Sequence, residues 1–310
     1  MRSHLTAALL VALPALAHAK YDPGEDRAAL RSHATAAYEA AANAAGRPLE
    51  AAKAAAIKSD LDEAAGQSRL AAEAAKSMET AAGLRADEMD NVVNGRLGSA
   101  PEAAAKQATD AAAAGQSRWK TLSKDRDDLK GKVDALPDEK KAKFKDGMDK
   151  ATAALDGADA ALLPAQAGAA TMTAGAAQMA ALRSRALGPA GERKAADDEV
   201  VAAYNNLPPP VAEAKAAVDL LGTEPQAENR TRAGQKLGVS RDVTQRLLAA
   251  ADRACNRSDD FYGLSKGFDL SRGSYEDGRQ AADGKPAAAK ALLDQAEAAL
   301  ADVRSRLARN

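Results

Sequence analysis

Histidine is scarce in this chain: three in 310 residues, at His4, His18 and His33. Cysteine is scarcer still, with Cys255 alone, and aromatic residues make up 3% with a single tryptophan, Trp119. Each shortage removes a class of chemistry. Zinc sites built from His and Cys, HExxH protease helices, CxxCH haem attachment and CxxC redox pairs all need residues the chain does not have. A Ser-His-Asp triad would have to use His33, which sits at seam spacing beside Ala34 and Ala37, where a histidine packs or meets solvent. No stretch has the alternating period and β-branched density of a strand, so no strand leads into a Gly-rich phosphate loop. No metal site and no cofactor are expected.

What is present begins at the N-terminus. MRSHLTAALLVALPALAHAK has one basic residue, Arg2, an uncharged apolar run from Leu5 to Leu16, and the small-x-small triplet Ala17-His18-Ala19. This is the pattern of a secretory signal peptide cleaved before Lys20, leaving a secreted or periplasmic protein. His4 and His18 leave with it, so His33 is the mature chain's one histidine. The apolar run is too short for a stable transmembrane anchor. No cysteine follows it to carry a lipid.

Charge is balanced, 43 basic against 44 acidic residues, so bulk electrostatics recruits neither nucleic acid nor anionic membrane. Alanine supplies about a quarter of the sequence, which makes strong helix-forming material with few bulky side chains for a thick core.

Spacing then organises the helices. Apolar and small residues recur at alternating steps of three and four, the period of one helix packed along another. The cleanest run is Phe144, Met148, Ala151, Leu155, Ala158, Leu162, Ala165, Ala169, Met172, Ala176 and Met179. With Asp138 as N-cap and Gly188-Pro189 as stop, it predicts a helix of roughly 70 Å, bent at Pro164. A second seam passes from Ala105 through Trp119 to Leu136. A third runs from Ile57 to Val92, interrupted by Arg85.

A weaker helix, Glu25 to Ala45, precedes these. Shorter ones follow over Glu192 to Leu207, Val211 to Leu221 and Arg241 to Asn256. A last one after Pro286 carries the seam Ala289, Leu293, Ala296, Leu300, Val303, Leu307.

The expected fold is all-α: an elongated antiparallel bundle of long Ala-rich, coiled-coil-like helices with shorter C-terminal helices, since short connections force antiparallel neighbours. The expected division is a signal peptide over 1–19, a bundle over 20–187, and shorter helices over 188–257 with a break at Pro208-Pro209-Pro210. A Gly/aromatic loop follows over 258–284, then a C-terminal helix over 285–310 packing back on the bundle.

Two segments stand out as candidates for function. From Ala160 to Leu182, twenty-three residues carry no charge. That length suits membrane insertion, but alanine is barely apolar and Pro, Gln and Thr are interspersed, so the expectation is a helix surrounded by its neighbours. The second is SDDFYGLSKGFDLSRGSYEDGRQ, Ser258 to Gln280, with four of the chain's nine aromatic residues and glycines at 263, 267, 273 and 278. This is the longest credible loop, and loops of that length are often functional. Phe261, Tyr262, Phe268 and Tyr275 with Asp259 and Asp260 are its candidate binding residues, for a glycan or a partner. The competing reading is an aromatic plug filling space that alanine cannot.

The hexapeptide AAGQSR occurs twice, Ala64 to Arg69 and Ala113 to Arg118. Gly115 falls in its helix seam whereas Gly66 falls outside its own, so the two copies face different neighbours. Asn229-Arg230-Thr231 and Asn256-Arg257-Ser258 match the glycosylation sequon. Lys140, Lys141, Lys143 and Lys145 lie among acids as a solvated face.

The sequence therefore points to an exported, non-catalytic helical protein acting as a structural, scaffold or partner-binding module of the cell envelope or exterior. Its partner is expected to be a protein or an envelope polymer. Helix seams, or the odd Cys255, offer a route to a homo-oligomer. The alternative is a glycan-binding protein or carboxylate-based hydrolase using the 258–280 segment; no catalytic residue is assigned.

Overall fold

The computed structural model describes residues 21–309; the expected signal peptide and its cleavage site lie outside them. Helix accounts for 91% of the structure, with no strand among the described residues, and the fold is an all-α helical bundle. Among the described residues seven α-helices follow in order: α1 Gly24–Gly46, α2 Ala54–Val93, α3 Pro101–Asp134, α4 Asp138–Asn205, α5 Pro208–Thr223, α6 Ala227–Ala282 and α7 Lys285–Leu307.

The contacts divide the chain into two compact units, neither contiguous in sequence. One comprises the described part of Met1–Arg85 with Ala196–Ser258, and the other Ala86–Ala195 with Asp259–Asn310. In the first, Leu30, Ala34 and Ala37 of α1 pack with Ala71, Ala75 and Met78 of α2, Val200 of α4, and Leu247, Ala251 and Cys255 of α6. A further cluster joins Ile57 and Leu61 of α2 to Val211, Val218 and Leu221 of α5 and Leu237 of α6. In the second unit, Leu122, Leu129 and Val133 of α3 meet Phe144, Ala151 and Leu155 of α4 and Leu293, Leu300 and Val303 of α7. α7 thus packs back on the α3 and α4 pair and completes a three-helix core.

The seams explain why these elements form. Every position of the α4 run from Phe144 to Met179 is buried except the half-buried Met148. The α7 seam is buried from Ala289 to Val303. Prolines start three helices where the missing N–H is unbonded anyway: Pro101, Pro208 and Pro286 sit at first or second positions. Gly284, with φ 67°, turns the chain from α6 into α7 in a conformation that glycine adopts without strain.

Three expectations are corrected. Gly188-Pro189 does not stop α4, which runs on to Asn205. Its buried row continues by sevens through Met172, Met179, Ala186, Arg193 and Val200, and that unbroken register outweighs a local cost of about 3 kcal/mol for an interior proline. The segment 258–284 is not a loop, because α6 is helical through to Ala282. Nor are the helices after α5 all short, since α6 has 56 residues.

Candidate functional site

The six residues singled out on the 258–280 segment lie on one helix with different exposures. Phe261 and Phe268 are fully buried and Tyr275 nearly so, each seven residues from the next. They belong to a seam that also includes Ser258, Ser265, Ser271, Gly278 and Ala282. Tyr262 is half-buried, and Asp259 and Asp260 face solvent. Three of the four aromatic faces are therefore packed inside the protein. Burial, reinforced by Glu276 and opposed by Arg279, pushes the Tyr275 phenol above its usual pKa. Such a phenol stays protonated at neutral pH.

The polar groups of this seam are engaged within the chain. Ser258 and Tyr21 share a hydrogen bond of 3.1 Å, and Ser271 donates to the Gly267 carbonyl at 2.9 Å. Of the glycines that suggested a loop, Gly278 serves close packing against α4. A β-carbon on Gly278 would stand 2.7 Å from the Gly168 carbonyl oxygen, and one on Gly168 would stand 2.6 Å from the Gly278 oxygen. Two turns further along α4, Gly175 meets the Ser271 carbonyl and Tyr275 in the same way.

The other sequence candidates are similarly committed. His33 donates from Nδ1 to Gln67 Oε1 at 2.5 Å, and Gln67 in turn donates to Glu63. Cys255 is buried, its thiol directed at the Arg27 carbonyl at 3.6 Å, so a disulfide to a second chain would require the core to open. Asn229 donates its amide to the Glu224 carbonyl at 2.8 Å, and Asn256 lies within α6. No group of three or more His, Cys, Asp or Glu side chains among the described residues could hold a metal ion.

Sequence reasoning missed Arg193 and Asp197, both 1% exposed, because the stop placed at Gly188 ended the seam before reaching them. Their spacing of four was the available signal.

The uncharged segment differs from expectation. It is helical throughout α4, but neighbours cover only part of it. One row, Leu162 to Met179, is buried. A second row at the same three-four spacing, Leu163, Ala167, Ala170, Ala174, Ala177 and Ala181, is exposed. Beside it α3 and α4 enclose a groove of about 860 Å³, walled by Ala112, Ala113, Ala169, Ala170, Ala174 and Ala177, with Lys120 the one charged residue lining it. Its polar atoms are largely spent. Gln166 donates to Gln116 at 2.9 Å, and Thr109 and Thr173 donate to carbonyls of their own helices. Such a groove offers shape and apolar surface rather than reactive groups.

The AAGQSR copies part company here. Ala113, Gln116 and Ser117 line this groove, while Gly115 lies so near Leu162 that a β-carbon would come within 2.6 Å of its side chain. Gly66 of the other copy faces open space. One hexapeptide serves two surroundings.

The chain matches no protein-family model, no curated protein and no solved structure. The function must be read from the surface itself.

Proposed function

We propose that this chain is an exported, non-catalytic helical scaffold that binds a protein partner along the exposed face of α4 and the α3 and α4 groove beside it. The observation carrying this reading is the charge-free exposed row from Leu163 to Ala181, because a solvated helix face ordinarily carries charge and this one has none. Polar groups that are hydrogen-bonded internally and small side chains that admit close backbone approach suit a partner helix better than a reacting substrate. Export rests on the N-terminal apolar run and the Ala17-His18-Ala19 triplet. No helix among the described residues is long and apolar enough to cross a membrane, which accords with partner binding rather than insertion by this face.

The test places a photo-crosslinking side chain at Ala174 in the protein expressed in its own cell, with one at the exposed Asp128 as control. Position 174 is expected to capture a discrete protein that position 128 does not, and Ala170→Glu to abolish the capture. Equal labelling from both positions would contradict the reading.

A further inference from the structure

Resting on that reading, we infer that the partner on this face is a second copy of the same chain, its α4 running antiparallel along the exposed row from Leu163 to Ala181.

The charges at the two ends of the face carry the argument. Asp156 lies at one end and Arg185 at the other, both exposed, and neither has an ion-pair partner among the described residues. Between Ala160 and Leu182 no charge intervenes. Two such helices running in the same direction would set like charges against like. Run antiparallel with their midpoint between Ala170 and Thr171, Asp156 of each copy stands beside Arg185 of the other. The two-fold relation makes this pair twice. In the same register Ala167 opposes Ala174, and Leu163, a large side chain 61% exposed, comes down beside Ala177 at the wall of the second copy's groove. A bulky knob thus meets an alanine-lined depression in the register that pairs the charges.

Rotation about an axis perpendicular to both α4 helices keeps the two α3 helices on one side, so the two exposed rows meet each other with an α3 flanking each. A contact about 45 Å long and 10 Å wide covers roughly 900 Å² over both copies, near the lower bound of about 1,000 Å² for specific association. The dimer is therefore weak, with dissociation on the order of micromolar.

Sedimentation of the purified chain over a micromolar concentration series tests the proposal, with charge exchange as the decisive arm. Asp156→Arg alone and Arg185→Asp alone are each expected to weaken self-association about tenfold, since two attractive pairs become repulsive. The double variant is expected to restore it. Ala170→Glu, which puts like charges beside the axis, should give a monomer that melts as the parent does.

A chain monomeric at every concentration, or a double variant as weak as the singles, overturns the second copy. If the chain is monomeric and Ala170→Glu still removes photo-capture of a different protein, the scaffold reading stands and only the identity of the occupant is wrong. If Ala170→Glu alters neither association nor capture, both readings fall.

Discussion

Gly168 on α4 and Gly278 on α6 stand face to face, each filling the space that a β-carbon on the other would need. The obstructing atoms are backbone, the Gly278 and Gly168 oxygens and the Ala282 and Met172 nitrogens, none of which yields as a flexible side chain does. The two helices therefore meet main chain to main chain. Gly168→Ala and Gly278→Ala are each expected to cost about 1–3 kcal/mol, and the double variant less than the sum because both strain one contact. Gly263→Ala and Gly273→Ala, at exposed helical sites with nothing within 4 Å, should instead stabilise by about 0.5–1 kcal/mol. Urea titrations monitored by circular dichroism separate the two outcomes.

The aromatic residues of α6 make a second test. Phe261→Ala and Phe268→Ala each vacate a fully buried site and are expected to destabilise by about 3–5 kcal/mol. Tyr262→Ala, at a half-buried position, should cost roughly 1 kcal/mol or less. Thermal melts rank the three. A variant that lost partner capture with an unchanged melt would restore the recognition reading of this segment.

Cys255 is expected to resist a thiol reagent in the native protein and to react only as fast as the core around Leu30, Leu247 and Ala251 opens. Labelling followed by mass spectrometry, with and without denaturant, measures this. Prompt modification of the folded chain would show that the thiol is not enclosed.

Asp90 should contribute to the acid sensitivity of the fold. It accepts a hydrogen bond from Arg183, with Asn94 and Arg96 also beside it, and together they hold its carboxyl below the usual pKa against the opposing effect of desolvation. A carboxyl lowered in the folded state contributes stability that is complete above its unfolded value of about 3.9 and is lost as pH falls through the lower folded value. Asp90→Asn is therefore expected to flatten the decline in melting temperature below that pH while leaving a protein already less stable at neutral pH. Parallel declines for variant and parent would assign the acid sensitivity elsewhere.

Much of the fold was legible because burial in a helix bundle recurs at three-four spacing regardless of which small residue fills the position. The α4 run from Phe144 and the α7 run from Ala289 needed only counting. The 258–282 segment reads as a loop by composition because five of its eight seam positions are Ser, Gly or Ala, while the helical period is carried by Phe261, Phe268 and Tyr275. The candidate surface was visible as a charge-free stretch. Its exposure was not, because alanine fits a buried row and an open one equally well.

The amino-acid sequence by itself determined that the chain is helical and that the α4 row from Phe144 and the α7 row from Ala289 turn inward. These follow from local propensity and period, which each helix expresses without reference to its neighbours. Tertiary structure alone decided that α4 runs through Gly188-Pro189, that Gly168 and Gly278 bring two backbones together, and that a second alanine row on α4 meets solvent. A proline or glycine sets only a local cost of a few kcal/mol. Whether that cost is accepted depends on what the next turn packs against, and that is a property of the assembled helices.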